Sequence, residues 1–191
     1  MAIDMPGSAT KLTYDDYALL PDDGKRHELL DGEHFVTPSP NTRHQIVSAN
    51  LFAALRSFVK ERRLGLVLYA PMDVVLTQHD VVEPDVLYVS SARAAILTEA
   101  NVAGAPDLVV EILSPSSRRH DEVLKRNVYE RTGVAQYWLI DPEAESVKVL
   151  QRDGGAERFG RPLLLTRHDG DVVTTPLLPG LALPLDEIFA A

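Results

Sequence analysis

The sequence predicts a mixed α/β (α+β) domain whose core runs helix, three strands, helix, strand. Three observations carry that prediction. Between about Arg43 and Arg62 the apolar residues Val47, Leu51, Leu55, Phe58 and Val59 recur at helical spacing. "DLVVEIL" (107–113) is nearly continuous in apolar character, as a strand covered on both faces should be. A charged, helix-like segment separates it from a further apolar run, "AQYWLI" (135–140). Those two strands should therefore be parallel neighbours joined by a right-handed crossover.

Residues 1–12 read as a flexible leader and 13–188 as a single domain, with the core over about 43–142. "TYDDYALL" (13–20) reads as a short helix, with Thr13 as N-cap and Asp16 completing a capping box. "HELLDGEHFV" (27–36) is two short strands around Asp31-Gly32, an N-terminal hairpin. The long helix follows, with Gly65 as its stop. "GLVLYAPMDVVL" (65–76), bent at Pro71, and "VVEPDVLYV" (81–89) are the first two core strands. "SARAAILTEANV" (91–102) reads as a weak helix or irregular connection. After strand 107–113, Ser116 or Ser117 caps a helix that runs to about Thr132 and stops at Gly133. Beyond Asp141-Pro142, β-like runs alternate with turns such as Asp153-Gly154-Gly155 and Asp169-Gly170, giving a C-terminal β extension that ends in "LDEIFA".

Bulk properties narrow the class. With 191 residues, 45% of them hydrophobic and 25% charged, the chain is long enough for a substantial core and average for a globular protein. The lack of cysteine excludes disulfides and thiolate metal sites and suits a reducing cytoplasm. The N-terminus lacks the apolar core of a secretory signal, and no apolar run approaches the roughly 20 residues that cross a bilayer. A cytoplasmic protein without membrane partners is expected. The net charge of −9 leaves only local basic stretches for a polyanion, "RSFVKERR" (56–63) and "SSRRHDEVLKRNVYER" (116–131). A homodimer that juxtaposes two such patches would offset the overall acidity.

Three residues suggest chemistry: Asp85 in "EPDV", Glu111 in the middle of a covered strand, and Lys125 on the following helix. Desolvation penalises an unpaired buried carboxylate, so Glu111 calls for a cation, a basic partner or an open sheet end. Two carboxylates on neighbouring strands can share Mg²⁺, which takes oxygen ligands and keeps waters. Asp107 competes with Asp85, but it lies four residues from Glu111 on one strand. That is roughly 13 Å at about 3.3 Å per residue, too far to share an ion. Asp121, Lys125 and Val128 fall on one helix surface, from which a lysine stem can reach the strand end. Spacing alone favours Lys125 merely pairing with Asp121 or facing solvent. Ser114, Ser116 and Ser117 lack a nucleophile elbow and read as turn residues, and Tyr137 and Trp138 read as core.

The motifs "HELLDGE" (27–33), "NTRHQIV" (41–47), "EPDVLYV" (83–89), "PDLVVEILSPSS" (106–117) and "DEVLKRNVYERTGVAQYWLIDP" (121–142) resemble the Uma-type ("Uma-two") family of endonuclease-like proteins, within the PD-(D/E)XK nuclease superfamily. The resemblance spans most of 13–188 and implies a restriction-endonuclease-like α-β-β-β-α-β core with a mixed sheet flanked by helices. It implies that Asp85, Glu111 and the main-chain carbonyl of Ile112 ligate Mg²⁺, with Mn²⁺ able to substitute, and that DNA is the partner. The superfamily places lysine two residues after the acid, but position 113 is Leu. The resemblance assigns that role to Lys125 on the next helix. Glu28 and His44 match further recurrent positions of the family pattern. Read from the residues alone, they are a hairpin charge and a helix N-terminal residue. A metal-dependent DNA endonuclease is the function expected. A catalytically idle binding module of the same fold, or a nuclease acting on RNA, is the alternative.

Overall fold

The computed structural model describes residues 10–154 and 156–191, so the first nine residues of the expected leader and Gly155 lie outside the described residues. Helix α1 (Tyr14–Tyr17) opens on the expected capping box, the Asp16 carboxylate accepting the Thr13 N–H at 2.8 Å. Strands β1 (Arg26–Leu30) and β2 (Glu33–Thr37) form the hairpin. Asp31 and Gly32 both take positive φ, 53° and 79°, as a tight type I′ turn requires.

Helix α2 (Thr42–Arg62) starts on Asn41, whose side chain accepts the His44 N–H at 2.9 Å. It stops before the expected glycine, because Arg63 itself takes the left-handed cap at φ 54°. Gly65 instead opens β3 (Gly65–Tyr69), where a Cβ would sit 2.1 Å from the Val89 carbonyl oxygen. Each of the two expected strands that follow is divided. Residues 65–76 become β3 and β4 (Val74–Thr77), and 81–89 become β5 (Asp80–Val82) and β6 (Val86–Ser90). The breaks fall at Pro71 and Pro84, which have no N–H to give a ladder, and at both the chain passes from one sheet to the other.

A 3₁₀ segment (Ser91–Ile96) and β7 (Val102–Ala103) lead into β8 (Leu108–Ile112). The hydroxyls of Ser114, Ser116 and Ser117 then bond one another, and it is Ser114, not the expected Ser116 or Ser117, that accepts the amide three residues on, the Ser117 N–H at 3.2 Å. A widened π-type turn (His120–Lys125) continues into α3 (Arg126–Thr132), which stops at Gly133 with φ 92°. Strands β9 (Gln136–Asp141), β10 (Ser146–Gln151) and β11 (Leu163–Thr166) extend the main sheet. The short pair β12 (Val172–Val173) and β13 (Leu183–Pro184) and helix α4 (Leu185–Ile188) close the chain.

The main sheet has six strands in the order β11-β10-β9-β8-β6-β3, and β8 and β9 are parallel, as the crossover predicts. A second sheet runs β2-β1-β5-β4-β7. Period-two alternation sorts the core. From β8, Leu108, Val110 and Ile112 pack with Val47, Leu51, Leu55 and Val59 of α2. Val109 and Leu113 face the other way, among residues of α3 and the second sheet. Glu111 shares that second face with them. Buried Leu and Val side chains of this kind each stabilise by about 1.5–3 kcal/mol. That strength holds an acid in a position that its own desolvation disfavours. No helix among the described residues is long and apolar enough to cross a membrane.

Candidate active site

The acids and bases singled out in the sequence meet where β1, the ends of β6 and β8, the start of α2 and the π-type turn converge. The β6–β8 register pairs Val86 with Val110 and Leu87 with Val109, and one further step sets Asp85 opposite Glu111. Asp85 is anchored there: its Oδ2 accepts the Ile112 N–H at 2.8 Å and lies 3.1 Å from His44 Nε2, while Oδ1 accepts Arg26 Nη1 at 3.0 Å. His44 reaches it because the Asn41 cap fixes the first turn of α2. Asp107, by contrast, sits at the far end of β8, where it accepts the Ser90 N–H and holds Arg93.

Lys125 is 2% exposed, and its ammonium lies 2.8 Å from Glu28 Oε1, 3.0 Å from Glu111 Oε1 and 3.5 Å from Asp121 Oδ1. Asp121 and Lys125, four residues apart, share one side of the widened turn, and π geometry is common at functional positions. Glu111 Oε1 also accepts the Tyr129 hydroxyl at 2.7 Å. Glu28 accepts the Glu83 N–H at 2.9 Å. All five sequence-derived residues, Asp85, Glu111, Lys125, Glu28 and His44, are therefore buried within one hydrogen-bonded cluster, and Ile112 supplies an amide to it. Arg26, Glu83 and Tyr129 belong to the cluster too and escaped the sequence reading, while Asp121, read there only as a neighbour of Lys125, joins it as well. Arg26 had a signal: two residues before Glu28 on a strand, it must share that residue's face.

Five carboxylates (Glu28, Glu83, Asp85, Glu111, Asp121) here meet two permanent cations, Arg26 and Lys125. The imbalance shows in their titration. Burial, with Asp121, Asp85 and Glu28 adding to it against the pull of Lys125, pushes Glu111 well above the carboxylate range. Burial likewise raises Glu83 to about 7, against Arg26, and raises Asp121. Asp85 goes the other way. Burial opposes its charge, but the His44 hydrogen bond, Arg26 and the Ile112 amide outweigh burial and hold it at about 2. Glu28 is likewise held low by Lys125 in spite of burial. Burial lowers Lys125, but Glu111, Glu28 and Asp121 more than reverse this, so it remains an ammonium.

A cleft of about 310 Å³ opens onto this cluster, lined among others by Asp85, Glu111, Ile112 and Lys125. Among the described residues no three His, Cys, Asp or Glu side chains form a ready metal-binding group. Mg²⁺ needs no such group, because it binds through one or two carboxylates and keeps several waters. Oxygen donors with surplus negative charge fit a hard divalent cation. The basic stretches fare less well as a polyanion surface. Residues 56–63 lie at the far end of α2, and in 116–131 Lys125 is buried while Arg118 and Arg131 hold Asp141 and Asp80.

The fold is thus mixed α/β, with two acids and a lysine gathered where its central strands β6 and β8 meet. Over residues 14–186 the chain matches the model of the Uma2 family, described as "Putative restriction endonuclease", and it belongs to that family. It is also similar to the 1.96 Å crystal structure of "a putative nuclease belonging to DUF820" from Anabaena variabilis, with a TM-score of 0.78 and 21% identity. That similarity covers 94% of this chain and 98% of the other. At that identity the likeness shows the fold. A comparison with curated proteins gives no match.

Proposed function

We propose that the protein is a metal-dependent endonuclease that hydrolyses DNA phosphodiester bonds at the Asp85–Glu111–Lys125 cluster. Asp85, Glu111 and the main-chain carbonyl of Ile112 are the residues that would hold Mg²⁺, or Mn²⁺ in its place. The observation that carries this reading is the position of Lys125. The PD-(D/E)XK pattern expects a lysine two residues after the acid, where Leu113 stands. The crossover instead returns an ammonium to within 3.0 Å of Glu111 from fourteen residues further on. When bound, the cation supplies Lewis acidity toward a phosphoryl oxygen and an acidified water.

The side chains divide the remaining work. Lys125 stays protonated, so it acts as a fixed positive charge and hydrogen-bond donor and not as a base. Through Glu111 Oε1 it orients that carboxyl, with Tyr129 as the second donor. Arg26, His44 and the Ile112 amide do the same for Asp85. Glu28 keeps Lys125 charged and in place. These locked rotamers avoid reorganisation when a phosphodiester enters.

The test is cleavage of plasmid, oligodeoxynucleotide and RNA substrates with Mg²⁺ or Mn²⁺, with and without chelator. Chelator-sensitive cleavage that drops at least about a hundredfold in Glu111→Gln is expected. Its absence across all substrates would sink the enzyme reading. One observation favours a second reading, an idle binding module: Asp85 and Glu111 are already paired with Arg26 and Lys125. Calorimetric titration with Mn²⁺ separates the two, since heat that vanishes in Asp85→Ala belongs to the metal-dependent enzyme and its lack to the module.

A further inference from the structure

A second cavity, of about 760 Å³, adjoins the cleft and shares Arg26, His44 and Asp85 with it, so one ligand can occupy both. Its size falls in the range of small-molecule sites. Among the described residues only four buried side-chain nitrogen or oxygen atoms lack a hydrogen-bond partner. Three of them, Arg26 Nε, Glu83 Oε2 and His44 Nδ1, belong to residues of this one cavity. Arg26 Nε and Glu83 Oε2 lie 3.7 Å apart, a fixed donor beside a fixed acceptor. Its walls are mixed: Val36, Pro38, Pro71 and Tyr69, the last 59% exposed, stand beside polar Ser39 and Gln45 and charged Lys25.

We infer that this cavity is a subsite for an unstacked nucleobase of the nucleotide next to the bond that the neighbouring cluster cleaves. The inference rests on the nuclease reading above and adds to it a recognition pocket. Every nucleobase presents a donor next to an acceptor on its pairing edge, which the Glu83 carboxyl and the Arg26 guanidinium lining the cavity complement, and enzymes that extrude a base read that edge. Tyr69 and the prolines supply a flat apolar surface for the ring, as aromatic platforms do for single strands. Other occupants fit worse. A phosphate would be repelled by Glu83, and a sugar alone would leave Tyr69 and the prolines unused.

The test uses short single-stranded oligodeoxynucleotides carrying 2-aminopurine at each position in turn, mixed with the protein in EDTA so that nothing is cleaved. Anisotropy of a dye-labelled copy reads affinity independently. The expected result is a several-fold change in 2-aminopurine emission at one position only, lost in Tyr69→Ala. Affinity should fall on the order of tenfold in both Tyr69→Ala and Glu83→Gln. Tyr69 is exposed, so its variant keeps the fold if Glu83→Gln does not. Binding with no position-specific change, or unaffected by both variants, overturns the subsite and leaves the nuclease reading intact. No binding to any oligonucleotide, together with no cleavage, overturns both.

Discussion

Glu111→Gln should make the protein more stable, by an amount that grows with pH. Glu111 is 2% exposed, and burial together with three neighbouring carboxylates lifts its pKa well above normal. Gln keeps the shape, and its Oε1 still accepts from Lys125 and Tyr129, so packing changes little. In the wild type, a carboxyl with a raised folded pKa binds its proton more tightly folded than unfolded. The stability this confers is complete below the unfolded value, about 4.3, and is lost as pH rises through the folded one. Gln has no such proton to lose. The stability difference between variant and wild type should therefore widen by about 1.4 kcal/mol per pH unit across that interval, then level off. For a domain of this size the shift is roughly 3–5 °C in Tm per pH unit. Urea unfolding of both proteins in EDTA from pH 4.5 to 8.5 measures it directly. Millimolar Mg²⁺ should shrink the slope by restoring charge balance in the wild type alone. A difference that stays flat with pH would refute the argument, for Glu111 would then be ionised at little cost.

Other perturbations test neighbouring parts of the structure. Lys125→Met strips Glu28, Glu111 and Asp121 of their shared cation and should cost about 3–5 kcal/mol in urea unfolding at pH 7. Lowering the pH to 5 should recover part of that loss, and a cost under about 1 kcal/mol would mean that the cluster tolerates free charge. Gly65→Ala places a Cβ 2.1 Å from the Val89 carbonyl oxygen at φ 151°, and calorimetry should show roughly 1–3 kcal/mol of destabilisation, since backbone on both sides must move. DNA binding should depend only shallowly on salt, with a log–log slope of about −2 to −3, because Arg118 and Arg131 already hold acids and Lys125 is buried. A slope steeper than about −6 would show that those pairs open on the nucleic acid.

Local features proved legible because their physics is local. The Thr13–Asp16 box, the Asp31-Gly32 turn and the apolar face of α2 depend on residues at most four apart along the chain or on a repeating period. The parallel pairing of β8 with β9 followed from the helical segment that joins them. The divided strands were missed because "GLVLYAPMDVVL" and "VVEPDVLYV" stay apolar straight across Pro71 and Pro84. Nothing in such a run tells which of two sheets each half will join.

The candidate site divides in the same way. Asp85, Glu111, Glu28, His44 and Lys125 could be named from residue type, strand context and family pattern. Arg26 on Asp85, 59 residues away in sequence, and Glu83 under Glu28, 55 away, could not. Residue type and period were enough to place the helices, the hairpin and the crossover pair of strands, and to show which acids lie in covered strands. Only the tertiary structure decided who neutralises whom, since a buried charge takes as partner whatever the packing of two sheets and two helices brings within about 3 Å. It thereby made Lys125 a shared cation and not the partner of Asp121 alone, and set Glu111 among three other carboxylates, Asp121, Asp85 and Glu28.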